Sequence, residues 1–313
     1  MLSRVAERVY WLARYIERVE NTARLARVQS QLMFDLPRAV KLSWFTLVEI
    51  TSSETYFEEN YDAKTEKNCM AMLLSDRNNG NSLMSSLWWA RENTRTTRDI
   101  LPREAWLHIN ELYLHVKTHQ DDFLTRSKRN QLLEYIIKSC QAWSGMLSST
   151  MSQNYTYRFI KLGMSIERAD MTSRILDVGG LFLAQDDVVD DEYQTHSILW
   201  ANLLKSASGY FMYRQHVQTE INGQQVVDFL IHDPEFARSI RFCVNVMKQV
   251  TERLPASQPI NSALEQFLIR LEDTERFDVG SIALHDYLDQ LQQDFSVLHN
   301  LCYELWFNPK LVA

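Results

Sequence analysis

The sequence predicts an all-α protein, a multi-helix bundle, on three observations. Its 313 residues include only eight glycines and six prolines, well below the roughly 7% and 5% of an average protein, which leaves little turn chemistry for a many-stranded sheet. Apolar residues recur at steps of three and four over long stretches, the period of one buried helix face. The connections between these stretches are short, as between antiparallel helices packed in two layers or two half-bundles. The reading is one domain over 1–313, which an ancient duplication would divide into internal halves 1–151 and 152–313.

The first helix runs from Ser3, a suitable N-cap, to about Met33, because Val5, Val9, Leu12, Ile16, Val19, Ala23 and Ala26 form one stripe. Pro37 ends the connection after it. Ala39 to Ile50 reads as an apolar second helix carrying Trp44 and Phe45, and the polar, acidic Thr51 to Tyr61 as a loop. Asp62 to Leu74 has helix composition. Arg77-Asn78-Asn79-Gly80 then supplies a turn in which Gly or Asn can take positive φ. Further helices are expected from Asn81 to near Leu101, from Pro102 to about Leu124, and from a Ser127 cap to about Met151. Asn154 to Val178 follows, stopped by Gly179-Gly180. The acidic stretch Ala184 to Tyr193 reads as a solvated loop. Helices over 196–218, 223–231, 234–253, 260–275 and 281–305 complete the chain, with Pro234 at a helix start.

Apolar residues make up 45% and charged residues 23%, the proportions of an ordinary folded domain. The net charge of −7 and the interspersed basic residues argue against nucleic acid as a partner. Cys69, Cys140, Cys243 and Cys302 are scattered without a CxxC pair, which fits a reducing cytoplasm. The start, MLSRVAERVY, lacks a signal-peptide stretch, and no 18-residue uncharged apolar window occurs, so no membrane association is expected.

The most informative pattern is Ile16-Glu17-Arg18-x-Glu20-x-Thr22-x-Arg24, which returns as Ile166-Glu167-Arg168-x-Asp170-x-Thr172-x-Arg174. Arg8 to Val28 and Arg158 to Val178 share eight of 21 positions, and about one such match is expected by chance in a chain this long. A second match at a similar offset sets Leu87, Glu92, Arg95, Thr96 and Arg98 against Leu230, Glu235, Arg238, Ser239 and Arg241. Duplication and coincidence both remain open on this count.

At about 100° per residue, Glu17, Asn21 and Arg24 share one polar face, while Arg18 points roughly 100° away from Glu17. An adjacent Glu-Arg pair therefore cannot aim at one ligand atom, and more than one helix must complete a pocket. Glu20 with Arg24 and Asp170 with Arg174 have the i,i+4 order of ordinary helix-surface pairs. Alternatively, Arg18, Arg24, Arg168 and Arg174, oriented by carboxylates, form forks for a carboxylate or phosphate, and the mixed signs suit a zwitterion or peptide end. A third charged face, Arg91, Glu92, Asn93 and Arg95, lies beside Trp88-Trp89. His115 and His119 have the spacing of two metal ligands, but no HExxH glutamate or third ligand accompanies them, so no metal is assigned. The acidic run lacks calcium-loop spacing. No GxSxG, phosphate-cradling glycine loop or dinucleotide fingerprint occurs, and no cofactor is expected.

With Met1-Leu2-Ser3-Arg4-Val5-Ala6-Glu7, Tyr10-Trp11, Arg14-Tyr15-Ile16-Glu17-Arg18, Glu20-Asn21-Thr22-Ala23-Arg24, Ala90-Arg91-Glu92-Asn93, Leu162-Gly163, Ile166-Glu167-Arg168-Ala169-Asp170 and Phe229-Leu230-Ile231-x-Asp233-Pro234-x-Phe236, the chain resembles the bacterial alpha-E domain family over nearly its whole length. It departs from the family pattern at Thr94, where a small Ala is usual, and at Met164, where a basic residue is common. Met171 does not repeat Asn21, so the halves offer unequal contacts.

The resemblance implies an all-helical protein that works with a circularly permuted ATP-grasp ligase, often beside a transglutaminase-like protein. The expected function is an accessory or substrate-binding component in ATP-dependent amide-bond formation. Its Glu/Arg helices would recognise an amino acid, a peptide end or an activated intermediate, and ATP chemistry would belong to the ligase. Two alternatives stand beside it. One is an aminoacyl- or peptidyl-transferase with Glu17 or Glu167 as general base; the other is a structural protein whose motifs lock helices together.

Overall fold

The computed structural model describes residues 3–35, 42–183, 192–272, 278–279 and 281–308. Among them are fourteen α-helices and no strand. In chain order they are α1 (Ser3–Asp35), α2 (Thr46–Ile50), α3 (Glu54–Asn60), α4 (Glu66–Met70), α5 (Leu83–Arg95), α6 (Arg103–Thr118), α7 (Arg126–Thr150), α8 (Tyr155–Leu183), α9 (Glu192–Ser206), α10 (Tyr210–His216), α11 (Gly223–His232), α12 (Ile240–Thr251), α13 (Gln258–Glu272) and α14 (Ile282–Cys302). None of these is long and apolar enough to cross a membrane.

Helix α1 is the centre of the molecule because its apolar stripe is covered on every side. Val9, Leu12, Val19 and Ala23 are fully buried against α5, α7 and α8. Helix α8 is packed in the same order against α12 and α14, and α1 and α8 meet each other along their length. Contacts advance in step, Tyr10 with Gly163 and then Glu17 with Arg168, so the two helices run in the same direction. Gly163 makes the close approach possible: a Cβ there would fall well inside contact distance of the Tyr10 carbonyl.

Several expected elements change. Only Thr46–Ile50 of the expected second helix is helical, Trp44 and Phe45 forming a turn before it, and residues 36–41 lie outside the described ones. The expected loop Thr51 to Tyr61 contains α3, because Phe57 is drawn inward between Phe45 and Tyr61, with ring centroids 5.3 and 5.2 Å away. Burying that ring outweighs the acidic composition around it. Helix α8 runs through Gly179-Gly180 to Leu183, where a stop was expected, since Leu203 of α9 packs against Gly179. That contact offsets the ~1 kcal/mol cost of glycine inside a helix.

The turn before α5 uses no left-handed residue; Asp76 and Asn79 side chains accept from the Asn78 and Asn81 amides instead. Pro234 does not start a helix. Asp233 accepts from the amides of Glu235 and Phe236 at 2.8 and 2.7 Å, closing an Asx turn, and Ser239 caps α12 by accepting from Phe242 at 3.0 Å. The second sequence match does not join like elements: Leu87, Glu92 and Arg95 lie in α5, whereas 230–241 is mostly the loop before α12. Of the expected acidic loop Ala184 to Tyr193, residues 184–191 lie outside the described residues, and Glu192 and Tyr193 belong to α9.

Candidate functional site

The two Glu-Arg steps meet at the α1–α8 contact, and they are exchanged. Arg18 donates through Nε and Nη2 to both oxygens of Glu167, at 2.6 and 3.2 Å. Arg168 donates in the same bidentate manner to Glu17, at 3.1 and 2.8 Å. The geometry follows from the helix: neighbouring residues diverge by about 100°, so glutamate and arginine of one step must take their partners from the other helix. Both carboxylates are withdrawn from solvent, Glu17 being 1% and Glu167 3% exposed.

Each glutamate also holds a second guanidinium. Arg14, one turn before Arg18, donates to Glu167 at 2.7 Å. On the other side, position 164 carries Met instead of a basic residue, and the second cation for Glu17 is Arg238 from the loop before α12. Arg238 donates to Glu17 at 2.8 Å, to Asn21 at 2.9 Å and to Glu20 at 2.7 Å. Glu20 is bound by Arg24 too. The remaining arginine donors are anchored at matching loops, Arg18 on Asn81 at 2.8 Å and Arg168 on the Ala237 carbonyl at 3.2 Å.

Burial alone would raise both carboxyl groups, but the paired cations reverse it. Arg18 and Arg14 hold Glu167 at about 2, and Arg168 with Arg238 pulls Glu17 well below the usual carboxylate range. A carboxylate that acidic, with both oxygens engaged, is a poor general base at neutral pH. Burial and the neighbouring Arg238 lower Arg24 from the usual arginine range, and its Nε and the Asn21 Nδ2 have no hydrogen-bond partner among the described residues.

The two sides differ in access. Around Glu17 the space is filled by Arg238, whereas Glu167 borders an open pocket of about 220 Å³. Arg14, Arg18 and Arg174 line it with Glu167 and Asp170, and Thr22, Thr51, Ser52 and Asn81 add neutral polar groups. Arg174 donates to Asp170 Oδ2 at 3.0 Å and to the Ser52 hydroxyl. Asp170 Oδ1 and one terminal nitrogen each of Arg14 and Arg174 have no hydrogen bond among the described residues. Ser52 holds a φ of +47°, strained for a residue with a Cβ, where the loop after α2 meets Arg174.

Of the residues singled out in the sequence, Arg18, Glu167, Asp170 and Arg174 reach this pocket. Glu17, Glu20, Asn21, Arg24 and Arg168 form the inner network. Arg91, Glu92, Asn93 and Arg95 join neither. They lie in the C-terminal half of α5, away from Asn81, and pair locally: Arg91 with Glu92 and Asn110, and Arg95 with Glu92. Arg91 also stacks over Trp106 and Tyr113, 5.4 and 5.1 Å from their ring centres. His115 and His119 lie ring against ring, centroids 4.3 Å apart, beside Tyr135. Arg14, Arg238, Thr51, Ser52 and Asn81 are not among the site residues that the sequence marks. Arg14 was within reach, sitting one turn before Arg18, but nothing local marks Ser52 or Arg238 as neighbours of these helices.

No curated protein and no solved structure matches the chain. The family model described as "Alpha-E: a predicted alpha-helical domain with a conserved ER motif" matches residues 1–307. With both Glu-Arg steps located at the central helix contact, the chain belongs to the Alpha-E family.

Proposed function

We propose that the pocket beside Glu167 recognises the charged end of an amino acid or peptide, and that the protein is the substrate-binding component of an amide-forming system. The observation that carries this reading is the convergence of spare donors and a spare acceptor in one small space. Terminal N–H groups of Arg14 and Arg174 suit a carboxylate, while Asp170 Oδ1 and the Thr51 and Ser52 hydroxyls suit an ammonium. The low proton affinity of Glu17 and Glu167 favours binding over base catalysis by either.

The exchanged pairs serve as the frame. Breaking up two buried ion pairs would leave charges stranded, yet forming them gains little over apolar packing because desolvation opposes the attraction. Their merit is placement: Glu167 fixes Arg18 and Arg14 at one opening, where Asp170 and Ser52 hold Arg174. The resemblance supplies the rest of the proposal, namely an ATP-grasp-type ligase as partner, with a transglutaminase-like protein as a further associate. The four buried, unpaired cysteines accord with a cytoplasmic setting.

Isothermal titration with an amino acid, its N-acetyl derivative and its amide checks the reading. Binding of the free zwitterion, weakened at least tenfold by blocking either end, is the expected result. Equal affinity for all three, or no binding to any of them or to dipeptides, contradicts it. Adding the ligase should raise amino-acid affinity if the two proteins share the substrate.

A further inference from the structure

A second cavity, of about 260 Å³, lies on another face of α8, between that helix and α12. It and the first pocket divide the second Glu-Arg step, Glu167 bordering one and Arg168 the other. Its lining contains Arg158, Lys161, Arg168 and Arg253 and no carboxylate. Arg168 is neutralised by Glu17. Arg158, Lys161 and Arg253 have no ion pair among the described residues, and no partner within hydrogen-bonding distance meets the Arg158 guanidinium there. Yet Arg158 is only 8% exposed.

Arg158 is largely buried along its stem and lines the cavity with no counter-charge beside it, so its positive charge is directed into that space. Two forks and an ammonium outnumber what one carboxylate can satisfy, but they match the three terminal oxygens and double charge of a phosphate monoester. Met164, Phe242, Val246 and Val250 supply an apolar wall beside the cations, and Ser165 and Gln249 add neutral hydrogen-bonding groups. Such a lining fits an organic body attached to the anion.

We propose that this cavity binds a small phosphate monoester with an apolar moiety, at a site separate from the pocket beside Glu167. Phenyl phosphate is a suitable probe, with inorganic phosphate as the anion without the ring and benzoate as the same ring on a carboxylate. Calorimetry at fixed ionic strength should give saturable binding of phenyl phosphate at least tenfold tighter than either of these. Arg158→Gln should weaken it tenfold or more, and Arg253→Gln, at an exposed position that folding does not depend on, at least threefold. Neither substitution should alter amino-acid binding at the first pocket, and Arg174→Gln should leave phenyl phosphate binding intact, so the two proposals fail separately. Absence of saturable binding to the wild type, benzoate binding as tightly as phenyl phosphate, or unchanged affinity in both variants overturns the assignment.

Discussion

Glu167 has a full set of interactions and His299 an incomplete one, and the two respond to acid in different ranges. Folded Glu167 lies at about 2 instead of 4.5, so its stabilisation is complete above 4.5 and disappears as pH falls toward 2. That difference corresponds to about 3 kcal/mol. His299 accepts or donates a hydrogen bond with Tyr10 at 2.9 Å, stacked on its ring, and burial with Arg14 nearby lowers it to about 4 from 6.5. The folded protein keeps this ring neutral while the unfolded chain takes up a proton, so stability declines as pH drops from 6.5 to 4. Partial solvent access reduces the effect to about 1 kcal/mol. His285 works in the opposite sense, since Asp177 raises it and its contribution fades at higher pH, but it is too exposed to dominate. A melting-temperature profile should therefore begin to fall below pH 6.5 and steepen below 4.5; in His299→Gln the first decline should vanish and the second persist. Retention of the first decline in that variant would contradict the assignment to His299.

At this same scale the sequence revealed interactions that are local and concealed those that are not. Glu20–Arg24 and Asp170–Arg174 were readable because helix geometry alone places residues i and i+4 together. The exchange of Glu17 and Glu167 between helices was not, although the 100° divergence within each step already required a second helix. Arg238 lies 221 positions from Glu17, and its arrival depends on an Asx turn and the path of one loop.

Among the elements, α1 was legible almost to its ends because its stripe is long and unbroken. Helix α3 was not, since one buried ring, Phe57, decided a segment whose other residues are polar. The glycine pair in α8 misled for a related reason: glycine permits a helix to end but does not compel it, and Leu203 rewards continuation. Gly163 offers a direct test of the α1–α8 packing. Alanine raises helix propensity by up to ~1 kcal/mol, but here its methyl group would press on a backbone carbonyl that cannot swing aside. Gly163→Ala should lower stability by about 2 kcal/mol in denaturant unfolding. A neutral or stabilising effect would mean that the two helices pack less closely than described.

For the whole molecule, the recurrence of charged residues pointed to the right helices, and the architecture explains what the recurrence does. Helices α1 and α8 run side by side, each packed on its own neighbours, and the exchanged ion pairs join them. The two sides then diverge. Arg238 closes the space by Glu17, while the loop after α2 leaves an opening by Glu167. Composition could forecast helices and an acidic chain, but not which of the two buried glutamates would border a pocket, because that depends on loops with no periodic signal.

The most direct test is calorimetric titration of a free amino acid, with thermal unfolding measured alongside, for the wild type and for Asp170→Asn and Arg174→Gln. Both residues face the pocket without belonging to the buried exchanged pairs, so the account predicts at least tenfold weaker binding with a stability change below about 1 kcal/mol. Full-strength binding by both variants, or a loss of binding that only accompanies unfolding, would contradict recognition at this pocket.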